Sequence, residues 1–382
     1  MATSTLVLLL CSIILASLLC SASSHAATSL SYSSQTTNTE EGWRESLPTK
    51  LRDNQGAPLH RVIIQPQAWS KSVTIYLLGT SHVSRTSCQD AELLMDHVRP
   101  DCLFVELCSQ RVGLMLPAHE ATPDVGDEKQ THNKPQQRVM SPISHKSAVM
   151  FAKIQNDYAS KLNVTIGGEF KTAFQSALRQ QREYWNSRQN YYLNVNNGIG
   201  HPRANRPCAI VLGDRPVRIT LLRAWESLRL FGKIKLVLAL LWSSIKQPSE
   251  KELREWMDSI LNDRTGKSDL MKKAMDEMAK SFPTLKRVII DERDEFMVAK
   301  IKQTAELLAC STSTDGERVM VAVIGAGHCN GIIEKLLDPK PSPQPEEILP
   351  SITRTKRKAE DDFEGSDVVQ FDYAYAIETG MI

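Results

Sequence analysis

Two short stretches of the chain end in the same Gly-x-x-His pattern. Residues 73–82 read VTIYLLGTSH and residues 319–328 read VMVAVIGAGH, so each places a histidine, His82 or His328, three residues after a glycine. An apolar run that ends at a glycine is typical of a buried strand, and the glycine allows a sharp turn where the strand ends. The carboxyl ends of strands are where open α/β sheets bind their ligands. The pair therefore predicts two histidines that bind one metal ion or share one proton-transfer step.

A carboxylate near the end of another apolar run extends this candidate site. The run DCLFVEL has the pattern of a buried strand and carries Glu106. If this strand neighbours the one before His82, the carboxylate and the imidazole lie side by side. A buried carboxylate is costly unless it is paired, so Glu106 is a metal ligand, a general base, or the partner of Arg111. The set His82, Glu106 and His328 would accept Mn, Co or Zn, because such ligands do not select among these metals.

Further charged residues stand at the ends of other predicted elements. These additional pocket candidates are Arg111, Glu169, Asp214, Arg215, Glu292, Arg293 and Asp294. Buried structural salt bridges are the alternative interpretation for all of them. If the site is catalytic, a divalent ion would activate a bound water and polarise a carbonyl group. Glu106 would then be the third ligand or the general base, and Arg215 or Arg293 would stabilise an oxyanion or anchor a substrate carboxylate.

The elements that position these residues alternate between strands and helices. Strand, helix and strand at 73–79, 86–99 and 101–107 predict a parallel pair joined by a right-handed crossover. Residues 287–290 either extend as a strand or lead straight into a helix. The other predicted elements are strands 59–66, 208–214 and 318–324 and helices 148–162, 169–183, 217–231, 250–282, 291–310 and 329–337. We therefore predict an α/β fold with one main domain over residues 59–338.

Composition and the remaining segments limit the protein's class. The chain of 382 residues is 41% hydrophobic and 24% charged, which is typical of a globular protein, and its net charge of +2 gives no basis for nucleic-acid binding. Residues 1–22 are apolar and are either a signal peptide or a membrane anchor. Residues 233–246, KIKLVLALLWSSIK, are too short to span a bilayer and predict a buried or interfacial helix. A linker is expected at 23–58 and a mobile insertion at 117–147.

The cysteines show no CxxC pair outside the apolar N-terminal segment. Small buried thiols are the preferred interpretation. Cys329 follows His328 directly, so a role as a metal ligand or redox group is the alternative.

Six motifs in order carry a resemblance to a known family. They are GTSHVS at 79–84, FVELCSQR at 104–111, GGEFKTAF at 167–174, LGDRPVRITLLRAW at 212–225, DERDEFM at 291–297 and VAVIGAGHCNGI at 321–332. Together they resemble the TraB/PrgY/GumN family from about residue 73 to residue 337. The resemblance implies a central mixed, largely parallel sheet of two pseudo-equivalent halves with flanking helices and a helical insertion. Each half would contribute a strand and a GxxH motif.

The resemblance also implies an activity. The family is related to the Tiki proteases, in which paired GxxH motifs and a glutamate serve a metal-dependent peptidase. Carried over to this chain, that makes His82, Glu106 and His328 the metal-site candidates. Other family motif positions without an assigned role match Glu169, Asp214, Arg215 and Arg293. A secreted peptidase is a further alternative, which requires cleavage near residues 22–27 and a glycan on Asn163.

The C-terminal segment suggests a different class of function. Residues 339–382 are expected to be disordered alone, and their end is acidic with interspersed aromatic residues. Asp372, Tyr373, Ala376 and Glu378 stand where the motif read by endoplasmic-reticulum VAP proteins has its core. Tyr375 departs from that motif, which has an acidic residue at this position. Some plant members of the family resemble membrane-contact tethers, so the alternative function is a non-enzymatic adaptor at the surface of a mitochondrion, a chloroplast or the endoplasmic reticulum.

Overall fold

One sheet lies at the centre of the described part of the chain. The computed structural model describes residues 32–33, 42–52, 58–66, 71–80, 85–108, 111, 167–193, 206–245, 280, 282–310, 317–338 and 350–354. The strands there are β1 (Tyr32–Ser33), β2 (Leu59–Pro66), β3 (Val73–Thr80), β4 (Cys102–Val105), β5 (Ala209–Leu212) and β6 (Arg318–Gly325). Their order across the sheet is β1-β2-β3-β6-β4-β5. The pairs β1–β2 and β2–β3 are antiparallel, whereas β3, β6, β4 and β5 are mutually parallel. This confirms the predicted α/β fold with a mixed, largely parallel sheet.

Helices connect and cover these strands. Within the described ranges they are α1 (Gly42–Glu45), α2 (Thr49–Arg52), α3 (Arg85–Val98), α4 (Gly168–Leu193), α5 (Val217–Ser227), α6 (Leu230–Ile245), α7 (Pro283–Lys286), α8 (Glu292–Cys310) and α9 (Ala326–Leu337). A π-helical turn, Arg287–Asp291, joins α7 to α8, so the RVII run leads into a helix and does not extend as a strand. No helix among the described residues is long and apolar enough to cross a membrane.

The expectation that β3 and β4 are neighbours is wrong. Strand β6 lies between them and pairs in parallel with both. All eight residues of β6 are buried, and a strand with both faces covered by apolar groups is most stable in the middle of a parallel sheet. Glu106 at the end of β4 is therefore next to the end of β6, and it is one strand further from the end of β3.

Several helix boundaries differ from the predicted ones, and α9 begins at Ala326, three residues before the predicted start at 329. The helix expected at 217–231 ends at Ser227, because Leu228 adopts an extended conformation with φ −83° and ψ 131°. Helix α6 then begins at Leu230, three residues before the helix expected at 233–246. Helix α4 runs to Leu193, ten residues beyond the predicted end at 183. Predicted helix 148–162, most of predicted helix 250–282, the insertion at 117–147 and the apolar residues 1–22 lie outside the described residues.

The two faces of the sheet carry two separate apolar cores. Alternate residues of β4 point to opposite faces, so Leu103 and Val105 pack with α3 and α4, whereas Cys102 and Phe104 pack with α8 and α9. A third core joins α5, α6 and α7 to the π-helical turn. Helices α8 and α9 therefore share one face of the sheet, where their first turns meet the carboxyl ends of the parallel strands.

Candidate functional site

The two GxxH motifs begin on neighbouring strands. In the β3–β6 ladder, Thr80 is the register partner of Gly325. A side chain at Gly79 would place its Cβ 2.6 Å from Cys329 Sγ and 3.3 Å from the Cα of Ala326. Neither motif glycine has a positive φ, so close packing of the two motifs, and not a sharp turn, requires glycine at position 79. His82 itself lies outside the described residues.

Glu106 is positioned by the ladder between β4 and β6. Its backbone N–H donates to the carbonyl of Val323 at 3.0 Å, which extends the pairing by one residue. Its carboxylate Oε2 accepts a hydrogen bond from the N–H of Gly325 at 2.6 Å. The side chain is only 4% exposed. Glu106 is therefore fixed at the strand end by the backbone, before any other side chain is considered.

His328 lies in the first turn of α9, directly after β6. Its Nδ1 is 2.5 Å from Asp294 Oδ1, and its Nε2 is 3.3 Å from Glu106 Oε1. An ionised carboxylate only accepts hydrogen bonds, so Asp294 favours the tautomer with the proton on Nδ1. That tautomer leaves the lone pair on Nε2, on the side of Glu106. The imidazole is thus oriented by one carboxylate and faces another.

Arg293 connects three of the predicted residues. Its Nε donates to Asp214 Oδ1 at 2.9 Å, and its Nη2 donates to Asp214 Oδ2 at 2.8 Å and to Glu106 Oε1 at 2.5 Å. Its Nη1 is 3.3 Å from His328 Nε2. Burial opposes the charge on this guanidinium, but Asp214 and Glu106 outweigh burial and raise the pKa of Arg293. Arg293 is therefore a permanent cation at the centre of the site.

Asp214, just beyond β5, is shared between two arginines. Besides the fork from Arg293 it is paired with Arg111, and its Oδ1 accepts the backbone N–H of Arg215 at 2.8 Å. Arg111 also donates to the backbone carbonyl of Glu106 at 3.1 Å. These contacts are those of a buried structural ion-pair network, which was the alternative interpretation of both residues.

Arg215 and Glu292 belong to an adjoining network. The side chain of Arg215 is fully buried and donates to Thr220 Oγ1 at 3.0 Å, to Glu292 Oε2 at 2.7 Å and to two backbone carbonyls. Burial lowers the pKa of Arg215 to about 10, so it remains charged at neutral pH. Burial would raise the pKa of Glu292, but hydrogen bonds from Arg223 and Arg215 outweigh it and lower that pKa. The described contacts of Arg215 hold the fold, and its predicted role as an oxyanion donor stays a prediction.

Glu169 lies on the opposite face of the sheet. It is in the first turn of α4, is 0% exposed, and adds to burial in raising the pKa of Cys88 on α3. Helix α4 packs on the face of the sheet opposite to α8 and α9, which carry Arg293 and His328.

The described residues fit part of a metal site. No group of three or more His, Cys, Asp or Glu that could hold a metal occurs in the described ranges, from which His82 is missing. Glu106 Oε1 and His328 Nε2 are 3.3 Å apart, and two ligands about 2.0–2.1 Å from a tetrahedral ion are about 3.3–3.4 Å apart. The carboxylate of Asp294 on His328 Nδ1 matches the outer partner that most metal-binding histidines have. Two donors and their support are thus in place, and a third must come from elsewhere.

Cys329 is a buried thiol beside His328. Burial, followed by the charges of Glu106 and Asp294, raises the pKa of its thiol to about 12. A bound metal ion would itself lower the pKa of this thiol, so the role of Cys329 as a metal ligand or redox group stays a prediction. Its sulfur packs closely against Gly79.

Two contributors to the site were missed by sequence reasoning. A Cβ on Gly331 would stand 2.1 Å from Asp294 Oδ2, so only glycine lets α9 pack this closely on Asp294. A glycine inside a helical pattern was the available signal. Arg223 donates to both oxygens of Glu292 at 2.8 Å, and nothing in its local sequence distinguished it from a surface arginine. The tail residues Asp372, Tyr373, Ala376 and Glu378 lie outside the described residues.

Comparisons with known proteins agree with the motifs. The model of the TraB/PrgY/gumN family matches residues 68–338. A TraB domain-containing protein of Bos taurus is 31% identical over 269 residues, which are 68% of this chain and 61% of that protein. The corresponding proteins of Mus musculus and Homo sapiens are each 30% identical, over 75% of this chain and 69% of their own length. The match thus covers about three fifths of the bovine protein. No solved structure matches the chain.

Proposed function

The chain belongs to the TraB/PrgY/gumN family, and from that premise we propose that Glu106 and His328, together with His82, form a metal-dependent hydrolase site that acts on peptide-like substrates. One observation carries the proposal. Glu106 Oε1 and His328 Nε2 are 3.3 Å apart, at the carboxyl ends of the adjacent parallel strands β4 and β6. This is the edge at which open α/β sheets bind their ligands.

The charges around this pair sum to one negative charge, although Arg293 lies beside both proposed donor atoms. Glu106, Asp214 and Asp294 are three carboxylates, and Arg111 and Arg293 neutralise two of them. One negative charge therefore remains in a largely buried cluster, where the attraction of a divalent ion is stronger than in water. The register of Thr80 with Gly325 places the end of β3, two residues before His82 in the sequence, at the same edge of the sheet.

The chain's own residues have separate tasks in this proposal. When bound, a divalent ion such as Mn, Co or Zn would polarise a carbonyl group and activate a water. Asp294 keeps the proton on His328 Nδ1, so that Nε2 presents its lone pair. Arg293 and the N–H of Gly325 hold the two oxygens of Glu106 in place. Glu106 either binds the ion or accepts the proton that the attacking water loses.

The test is the metal content of the purified full-length chain, measured by elemental analysis. The wild type is compared with His82→Ala/His328→Ala, and His97→Ala is the matched control because His97 is exposed on α3. We expect near-stoichiometric metal in the wild type and the control, and none in the double variant. Equal metal in all three proteins would refute the site. Peptidase activity is then sought in the metal-loaded wild type, with Glu106→Gln as the inactive reference.

A second candidate function is a non-enzymatic adaptor at an organelle membrane. The acidic and aromatic residues 360–378, with Asp372, Tyr373, Ala376 and Glu378 at the core positions, favour binding to VAP-type proteins of the endoplasmic reticulum. In this proposal the ion pairs around Arg293 only hold the domain together. Deleting residues 359–382 should abolish VAP binding and leave the domain folded. Binding that survives this deletion would exclude the tail as the recruiting element.

A further inference from the structure

Helix α6 presents a stripe of large apolar side chains to solvent. Leu230 is 76% exposed, Phe231 80%, Ile234 50% and Leu238 60%. At about 100° per residue, these four positions fall at about 0°, 100°, 40° and 80° around the helix, within one arc. Such a contiguous exposed apolar face marks an interaction surface, unlike single exposed apolar residues.

The opposite side of α6 is the side that holds it to the domain. Leu236, at about 240° on the same scale, is 7% exposed and packs with Leu228, Phe282 and Leu285. The exposed stripe is therefore not a misplaced core face, since the helix already has a buried one. Four large apolar side chains remain in contact with water in addition to it.

Cations border the stripe on both sides. Lys233 and Lys235 stand at about −60° and 140°, just outside the arc of the apolar residues. Lys233 Nζ is 5.1 Å from the ring of Trp225, and Lys235 Nζ is 4.7 Å from the ring of Phe282. From Leu228 to Ser249 the sequence has lysines and an arginine but no Asp or Glu, although the whole chain has a net charge of only +2.

We propose that the α6 stripe, defined as Leu230, Phe231, Ile234 and Leu238, docks on an anionic phospholipid bilayer. A helix with an aromatic and aliphatic face bordered by lysines lies in the plane of the interface, with the apolar face among the acyl chains and the cations at the headgroups. Trp225 is 46% exposed beside Lys233, and indole rings favour the same headgroup level. The charges favour an anionic bilayer over an apolar protein partner, because an apolar protein surface would not require lysines on both sides of the stripe and no acidic residues.

The length of α6 supports a surface position. Its 16 residues extend about 24 Å, which is shorter than the ~30 Å hydrocarbon core of a bilayer. The helix is also attached to the domain through Leu236 on its buried side. The domain would therefore rest on the membrane with α6 parallel to it. This arrangement does not depend on the proposed hydrolase site.

The experiment measures binding of the full-length chain to vesicles, with a local readout. Vesicles of phosphatidylcholine and phosphatidylserine in equal parts are compared with vesicles of phosphatidylcholine alone, by flotation and by backbone hydrogen exchange. We expect binding to the anionic vesicles that weakens as salt is raised, with slower exchange in residues 228–238. Phe231→Asp/Leu238→Asp should lower the partition coefficient by about tenfold or more. Leu307→Asp is the matched control, because Leu307 is 68% exposed on α8 and away from the stripe.

Three outcomes would overturn the proposal. The first is equal vesicle binding by the wild type and the double variant. The second is binding without a change of exchange in residues 228–238, since the apolar residues 1–22 would then account for it. The third is a lipid-free dimer that Phe231→Asp abolishes in sedimentation velocity, which would assign the stripe to a second copy of the chain. If the double variant does not fold, Phe231→Ser alone replaces it, with circular dichroism as the check.

Discussion

Asp214 accepts a fork of two hydrogen bonds from Arg293, at 2.9 Å from Nε to Oδ1 and at 2.8 Å from Nη2 to Oδ2. Because the same Nη2 reaches Glu106, one guanidinium joins the ends of β4 and β5 to the first turn of α8. The ion-pair network and the candidate active site are therefore not separable, since the cation that orients Glu106 is anchored by Asp214.

Removing this cation should destabilise the whole domain. We expect Arg293→Leu to lower the free energy of unfolding by about 3–5 kcal/mol, because Asp214 and Glu106 would remain buried without their shared partner. Arg293→Lys should recover only part of this, since an ammonium cannot form the fork. Urea unfolding measures both, with Arg218→Leu on the exposed side of α5 as the control. A loss below about 1 kcal/mol for Arg293→Leu would show that the network is not essential.

The glycine at position 331 should be required for the orientation of His328. In Gly331→Ala the new Cβ would meet Asp294 Oδ2 at 2.1 Å, so the carboxylate must move away from the imidazole. We expect a loss of about 1–3 kcal/mol in stability from overpacking and weaker metal binding at the site. Gly42→Ala is the control, because nothing lies within 4 Å of a Cβ there. Unchanged metal affinity in a folded Gly331→Ala protein would contradict the role assigned to Asp294.

Because the pKa of Glu292 is lowered in the folded protein, we expect the free energy of unfolding to depend on pH in the acidic range. A carboxylate with a depressed folded pKa stabilises the protein fully above its ordinary pKa of 4.5, and this contribution disappears as the pH falls through the folded value. Glu292→Gln should therefore cost about 1.5–3 kcal/mol near neutral pH, and the difference from wild type should shrink below about pH 4.5. Glu334→Gln, on the exposed side of α9, should show no such convergence. A difference that stays constant with pH would rule out ionised Glu292 as the source.

The turn at residues 350–354 should contribute to stability although it lies in the predicted tail. Arg215 Nη1 donates to the carbonyl of Ile352 at 2.7 Å, and Arg223 Nη1 donates to that of Arg354 at 2.5 Å. In a chain ending at residue 349, Arg215 would lose the carbonyl of Ile352 as its acceptor, and the free energy of unfolding should fall by about 1–3 kcal/mol. The loss of the buried side chain of Ile352, which is 5% exposed, should lower it further. A chain ending at residue 354 should be as stable as the full length. Equal thermal stability of the two truncated chains would show that the turn does not contribute to the stability of the folded domain.

Much of the fold and of the residue set could be predicted from local patterns. The strands at 59–66, 73–79 and 318–324 were recognisable as apolar runs, and Glu106, Arg293 and His328 were recognisable as polar groups that follow such runs. The predicted adjacency of β3 and β4 was wrong, because periodicity indicates which residues are buried but not which strands are neighbours. The hydrogen-bond partners of Arg215 could not be predicted for the same reason, since the carbonyl of Ile352 is 137 residues away in sequence.

The sequence by itself determined the strand ends, the family, and the residue types that stand at the carboxyl edge of the sheet. These follow from local chain chemistry, because a strand and the polar residue after it are adjacent by covalent connection. Only the tertiary structure decided that β6 separates β3 from β4, that Asp294 faces His328, and that Gly331 must have no side chain. Those facts depend on which surfaces pack against each other, and this is decided by contacts between segments that are distant in sequence.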